Sequence, residues 1–289
     1  MKSAIMKSVD LMESGDFESI RSVVDNALRA GLMDDIGYDY KANVDSRLDD
    51  EEKRDTIPTP WSVINELMDG GLGAGEIACV LAPTGGGKSW ILGAIASHAA
   101  SENKIVFHYS MENGQKLVAE RYDSIFTGIV STKHSDNKDK IKSIIKRIAG
   151  NLIIKIYPTK TASVRTLISH IEQAKATGVF PDLIIVDYAD LLRPSGKGSD
   201  SKYEELGTIY EELRGMAGTL EVPVWTASQV NRDGTDDEII RVSAIADSYA
   251  KAMVCDFIMS ASRKDKDKIN NTARVHIVKN RLGPDGMTL

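Results

Sequence analysis

The stretch Ala82-Pro83-Thr84-Gly85-Gly86-Gly87-Lys88-Ser89 restricts what this chain can fold into more than any other. It closes the apolar run Ile77-Ala78-Cys79-Val80-Leu81 and opens an apolar helical pattern from Trp90 to Ala100. A strand, a glycine-rich turn and a helix beginning at Lys-Ser make a phosphate-binding loop. Consecutive glycines let backbone N–H groups curl round an anion without Cβ clashes, and the helix N-terminus adds partial positive charge. Lys88 then reaches the β- and γ-phosphates and the Ser89 hydroxyl ligates Mg²⁺. The expected cofactors are ATP and Mg²⁺, with Ala82, Pro83, Thr84, Gly85, Gly86, Gly87, Lys88 and Ser89 forming the cradle. Ala82 stands where many such loops carry glycine. A turn that merely precedes Lys-Ser is the competing reading, and both flanks argue against it.

Composition adds exclusions. A chain of 289 residues holds one large α/β domain or two small ones and can bury a sizeable core. No apolar run approaches the ~18 residues of a membrane span, and the N-terminal region lacks the apolar core of a signal peptide. Cys79 and Cys255 each sit in an apolar run. They read as small buried hydrophobes in a reducing compartment, which points to the cytoplasm. The five histidines are scattered without ligand spacing, and no zinc site is expected. A formal charge of −6 argues against a uniformly basic surface that coats nucleic acid. Local basic loops lining a channel are still compatible with it.

Along the chain, residues 1–31 read as a helical arm. Asp16 can cap a helix whose Phe17, Ile20, Val23, Val24, Ala27 and Leu28 share a face, and Gly31 ends it. That face must be buried, on its own domain or on a neighbouring subunit. Residues 32–55 are polar, without a period, and read as a linker. From residue 56 onward strands alternate with helices. The predicted strands are Lys104–Met111, Leu152–Tyr157, Leu183–Tyr188, Val222–Ser228, Asp256–Ser262 and Ala273–Lys279, beside the one that enters the phosphate loop. Predicted helices cover 61–68, 114–127, 135–148, 163–177, 202–220 and about 244–251. Most of these strands are apolar on both faces. The expected fold class is therefore α/β, a mostly parallel central sheet flanked by helices.

Four further positions carry candidate chemistry. Leu183-Ile184-Ile185-Val186-Asp187 is an apolar strand ending in a carboxylate, and Asp187 is expected to hold Mg²⁺ opposite Ser89. Glu112 ends the 104–111 strand. Ligands of open α/β sheets bind at carboxyl ends of strands, so Glu112 is either the base that activates water or a solvated carboxylate favoured by its own helix N-terminus. Gln229 ends another strand, as a γ-phosphate sensor or a plain polar terminus. Arg281, followed by turn residues, either projects toward a phosphate on a neighbouring subunit or is a solvated arginine.

Together these pieces resemble one family. Phe107-His108-Tyr109-Ser110-Met111 before Glu112, Val186-Asp187-Tyr188, Ser228-Gln229 before Asn231-Arg232, and Lys279-x-Arg281-x-Gly283-Pro284-x-Gly286 occur in the order found in DnaB-type hexameric replicative DNA helicases, with the phage T4 type most similar. The resemblance covers about residues 56–286. It implies a RecA-like ATPase domain over 56–289, with 1–31 as the linker helix. It implies Lys88, Glu112, Gln229, Lys279 and Arg281 as catalytic residues, the last two acting in trans. Arg121 joins the nucleotide-binding set. The implied function is an ATP-driven helicase motor, moving 5′ to 3′ on single-stranded DNA as a homo-hexamer. Primase and a loader are its implied partners, with no membrane, in the host cytoplasm if the chain is phage-encoded.

The chain departs from that pattern at three points. Asp190 stands where the family usually has Gln. The family's N-terminal domain is expected to be missing, and so is the sheet strand after the Gly-Pro turn, as in a C-terminally truncated domain. DNA contact is expected on Arg193, Lys197 and Lys202 in one loop and on Asn231 and Arg232 in a second, through phosphates and without sequence readout. The acidic Asp233, Asp236, Asp237 and Glu238 in the second loop oppose phosphate contact, and a solvated side chain is the alternative for each lysine. A RecA-like recombinase or regulatory ATPase shares the phosphate loop, Asp187 and a Gln sensor; Lys279 with Arg281 sets the helicase apart from it. A nucleotide-binding product unable to form a ring is the third reading.

Overall fold

A computed structural model describes residues 37–49, 54–196, 201–230 and 249–289. The arm expected over 1–31, Lys197, and the 231–242 loop with Asn231 and Arg232 lie outside the described residues. The chain divides into two compact units, Met1–Lys53 and Arg54–Leu289. In the first, the linker region contains a short helix, α1 (Val44–Asp49), with Asp45 in its first turn. An acid there complements the partial positive charge of the helix N-terminus. So short a segment leaves no period to read.

The second unit opens with β1 (Thr56–Ile57), α2 (Ser62–Leu67) and β2 (Leu72–Gly73), β1 and β2 pairing antiparallel. Then come β3 (Ile77–Ala82), α3 (Lys88–Ser101), β4 (Ile105–Ser110), α4 (Gln115–Thr127), α5 (Lys138–Ile145) and β5 (Asn151–Ile156). The chain continues through α6 (Val164–Ala176), β6 (Leu183–Asp187), α7 (Lys202–Leu220) and β7 (Val224–Gln229). It ends with α8 (Tyr249–Val254), β8 (Phe257–Ser262), α9 (Asp265–Ile269) and β9 (Arg274–Asn280). Among the described residues no helix is long and apolar enough to cross a membrane.

β3 to β9 form one seven-stranded sheet in the order β5-β4-β6-β7-β3-β8-β9. Every pairing is parallel except β8 with β9. Alternation along the strands fills two apolar layers. Ile77, Cys79 and Leu81 of β3 pack with Leu167 and Ile171 of α6 and Leu206, Tyr210 and Leu213 of α7. Ala78 and Val80 pack on the other face with Leu92 and Ile95 of α3 and Val118 and Tyr122 of α4. Helices on both faces explain why the central strands are apolar throughout.

Three local outcomes differ from the sequence expectations. The helix expected around 244–251 runs from Tyr249 to Val254 among the described residues, so Met253 and Val254 belong to it. The helix expected over 135–148 is α only from Lys138 to Ile145, after 3₁₀ turns at Ser131–Lys133 and Ser135–Asn137. A short helix, α9, lies between two predicted strands where the sequence reading placed no element, with Asp265 and Asp267 in its first turn. Beyond β9 the chain turns back: Leu289 and Val275 exchange backbone hydrogen bonds, the Met287 carbonyl accepts from the Ile277 N–H, and the Gly286 N–H donates to the Ile277 carbonyl.

Gly150 joins two of these elements where backbone crowds backbone. Its N–H donates to the Ala100 carbonyl, 2.9 Å away, at the end of α3. A Cβ at this position lies 2.2 Å from the Lys104 carbonyl oxygen and 2.7 Å from that of Ala100. Neither neighbour is a flexible side chain, so β5 must move off β4 to admit a methyl group. We expect Gly150→Ala to destabilise the folded chain by ~2 kcal/mol, read as a lowered urea midpoint with unchanged slope.

Candidate active site

The strand order builds the site. β4, β6, β7 and β3 are consecutive in the sheet and run parallel, so their carboxyl ends line one edge. Ser110 is level with Asp187, and Ala82 is level with Gln229. Glu112, Asp187, Gln229 and the 82–89 loop thus meet at one crevice, the place where open α/β sheets bind ligands.

The loop has the backbone its glycines permit. Gly85 and Gly87 hold φ of +73° and +94°, where a Cβ is strained. At Gly86 a Cβ meets the Pro83 ring at 2.8 Å and the Pro83 carbonyl at 2.9 Å. Lys88 Nζ donates to the Ala82 and Pro83 carbonyls, both at 3.2 Å, and sits 5.7 Å from the centre of the Tyr188 ring. Burial lowers the Lys88 pKa, and the negative charges of Glu112 and Asp187 oppose that. Gln229 Nε2 donates to the Thr84 hydroxyl at 2.6 Å, tying the end of β7 to the loop.

Asp187 is the unusual group. Its carboxylate is 1% exposed, and neither oxygen has a protein hydrogen bond of ordinary geometry. Burial raises its pKa; the facing Ser89 hydroxyl lowers it, Glu112 adds to the rise, and Arg121 and Lys88 act downward. A buried, unpartnered carboxylate beside a serine hydroxyl at the foot of a phosphate loop fits a divalent cation, which supplies the missing charge. The glycine cradle likewise fits phosphate oxygens. Glu112 is exposed, with its charge felt at Lys88, Asp187 and Tyr188. Arg121 on α4 approaches the Asn113 side chain at 3.5 Å and lies within electrostatic reach of Asp187. Behind them His108, with Tyr122 hydrogen-bonded to Nδ1, is pushed down to about 3 by burial and then by Arg121, and is neutral.

Lys279 and Arg281 are elsewhere. β9 runs antiparallel to β8, so its end lies at the amino end of β3, with Asn280 level with Phe257 and Phe257 level with Ala78. At ~3.3 Å rise per residue, that edge is a strand length from the phosphate loop. Arg281 is held there instead of projecting freely. It pairs with Asp256 Oδ1 at 3.0 Å and donates to the Met253 carbonyl at 2.9 Å, while remaining 46% exposed. Arg214 of α7 pairs with the other oxygen of Asp256, which also accepts the Ile77 N–H at 3.0 Å.

Of the loop residues read as DNA contacts, Arg193 is exposed and donates to the Thr161 carbonyl at 3.2 Å. Lys202 begins α7. A group without any sequence signature sits just behind the crevice. Asp190 pairs with Lys251 Nζ at 2.8 Å and accepts hydrogen bonds from Ser228 at 2.9 Å and Tyr210 at 3.3 Å. Lys251 lies in an apolar helical run, and its spacing carries no signal of a partner sixty-odd positions away.

Residues 56–288 match the model of the DnaB-like helicase C terminal domain. The chain belongs to the DnaB-like helicase family. It is 27% identical over 282 residues to the DnaB-like replicative helicase of Enterobacteria phage T4, covering 93% of this chain and 59% of that protein. It is 24% identical over 245 residues to the replicative DNA helicase DnaB of Geobacillus stearothermophilus, covering 80% of this chain and 53% of that protein. The chain thus spans between half and three-fifths of these relatives' length. Among solved structures, an isolated ATPase domain shares the fold at a TM-score of 0.75 and 22% identity, covering 88% of this chain and 95% of that one. A DnaB-like replicative helicase solved for its interactions with primase also matches, at a TM-score of 0.75 and 19% identity, over 99% of this chain and 73% of that one. The DnaB-like domain here therefore shares the fold of those structures, the α/β class expected from its strand pattern.

The orphaned carboxylate costs stability in this DnaB-like domain. Asp187→Asn removes a buried charge, and we expect it to raise the stability of the chain at neutral pH by ~1 kcal/mol. The folded pKa of Asp187 is raised above 3.8, so the wild-type penalty is present above that raised pKa and disappears as pH falls through it. Urea titrations of both proteins at neutral and acid pH should show the difference only at neutral pH.

Proposed function

We propose that this chain is the ATP-driven motor domain of a replicative DNA helicase, translocating on single-stranded DNA as a homo-hexameric ring in a cytoplasm and unwinding duplex. The observation that carries this is the separation of two sets of residues on opposite edges of one sheet. The phosphate loop, Glu112, Asp187 and Gln229 share one edge, while Lys279 and Arg281 occupy the other. Residues that distant can serve a phosphate only on another copy of the chain, which is the requirement of a ring with sites between subunits.

In this reading the 82–89 backbone and Lys88 hold the phosphates, and Ser89 with Asp187 holds Mg²⁺. The bound Mg²⁺ neutralises charge on the phosphate oxygens. Exposed Glu112 orients and deprotonates the attacking water. Arg121 contacts the nucleotide. Gln229, already bonded to Thr84, responds to the γ-phosphate by exchanging that partner. From the neighbouring subunit, Arg281 and Lys279 stabilise transition-state charge. Arg193, Lys197, Lys202, Asn231 and Arg232 track the DNA backbone. Polarity of 5′ to 3′, and work with primase and a loader, follow from the resemblance and from the neighbour solved for its primase interactions.

ATP turnover with and without single-stranded DNA, compared between this chain and Lys88→Ala, tests the motor. DNA stimulation that vanishes in the variant is expected; nucleotide binding without stimulation assigns a regulatory ATPase instead. The shared site has its own test. Lys88→Ala and Arg281→Ala are each expected to be inactive, and an equal mixture should recover about a quarter of wild-type turnover, the fraction of interfaces with both halves intact. A mixture that stays inactive overturns the trans assignment.

A further inference from the structure

The Asp190–Lys251 pair and the Arg281 cluster are held two residues apart on one short helix. Lys251, 3% exposed, donates from Nζ to Asp190 Oδ2 at 2.8 Å and to the Ser228 hydroxyl at 2.7 Å, and its ammonium lies 5.5 Å from the centre of the Tyr210 ring. Asp190 is three residues beyond Asp187, and Ser228 directly precedes Gln229. The head of Lys251 is thus fastened to both strand ends that face the nucleotide. Two residues further along α8, the Met253 carbonyl accepts from Arg281 Nη2 at 2.9 Å and from Lys279 Nζ at 3.4 Å. The Val254 carbonyl accepts from Arg214 at 3.2 Å, and Arg214 shares Asp256 with Arg281.

We propose that Lys251 is a positioning residue that couples the nucleotide site of one subunit to the Arg281 it presents to the next, with α8 as the connecting strut. A change at the Ser228–Gln229 strand end draws on Lys251, shifts α8, and moves the Met253 carbonyl that holds Arg281. The pair is well suited to this. A buried ammonium with three fixed partners cannot exchange them for water, so a shift of the strand end is transmitted and not absorbed by the side chain. Arg281, by contrast, is nearly half exposed, and Arg214 neutralises Asp256 when Arg281 leaves it. The two attachments of the strut are therefore built for their parts, one fixed and one releasable. The inference rests on the proposed trans action of Arg281.

Mixing subunits tests it. Lys251→Met should bind a fluorescent ATP analogue within twofold of wild type, yet lose at least tenfold in DNA-stimulated turnover. Its defect lies in the arginine it gives, not in the site it owns. An equal mixture with Lys88→Ala should therefore recover turnover, because Lys251→Met supplies intact sites and Lys88→Ala intact arginines. An equal mixture with Arg281→Ala should stay inactive. The reverse pattern, recovery with Arg281→Ala only, overturns the proposal and puts Lys251 in its own site; full activity of Lys251→Met alone overturns it as well. Since Lys251→Met leaves the part-buried Asp190 without its countercharge, the mixtures are repeated with the double variant Asp190→Asn/Lys251→Met, which strands no charge. The same pattern is expected, and full activity of the double variant refutes the coupling. If Lys88→Ala and Arg281→Ala fail to complement each other, the shared-site reading itself has failed, and that outcome is separate from these.

Discussion

The structure depends on how tightly β3 is confined. It has parallel neighbours on both sides, apolar layers on both faces, and its first N–H held by the buried Asp256 carboxylate. Displacing it uncovers Ile77, Val80 and Leu81, at about 1.5–3 kcal/mol for each side chain exposed. The loop that follows is thus a flexible glycine sequence hung from a strand that cannot yield. Its curl is set by Gly85, Gly86 and Gly87, and its position by the sheet. Gln229 completes the arrangement, because β7 is level with β3 and its last side chain bonds directly to Thr84.

Confinement has an electrostatic consequence. The same burial that positions Lys88 and Asp187 disfavours the charge on each, lowering one pKa and raising the other. The two are not paired with one another; Lys88 turns to loop carbonyls and Asp187 faces the Ser89 hydroxyl. A site built only for stability would join them. Holding them apart leaves room for a ligand that brings anionic oxygens to the lysine and a cation to the carboxylate, and such a ligand relieves both penalties together. That is the physical reason this crevice fits an anion beside a divalent cation.

The opposite edge of the sheet shows the contrary strategy. Asp256 is buried yet fully engaged, with Arg214, Arg281 and a backbone N–H around it. Reversal of one strand is what puts Arg281 there: an antiparallel β9 ends at the amino side of the sheet, whereas a parallel one would have ended on the edge that carries the 82–89 loop. A single topological choice therefore puts Lys279 and Arg281 a strand length away from the 82–89 loop, on the far edge of the same sheet.

Much of this was legible in the order of residues. The phosphate loop is a local motif, and the ends of β4, β6 and β7 are marked where an apolar run stops at Glu112, Asp187 and Gln229. Because doubly covered parallel strands must be apolar on both faces, the fold class and strand boundaries follow from the run lengths. The short pieces, α1, β1, β2 and α9, escaped because two to six residues span too little of a period to register. Only the tertiary structure decided which strands are neighbours, that Arg281 folds onto Asp256, and that Lys251 reaches Asp190. Those partners are separated by dozens of residues and joined by geometry alone. A charge in an apolar helical run announces that it needs a partner, but the chain names that partner only once the sheet has closed.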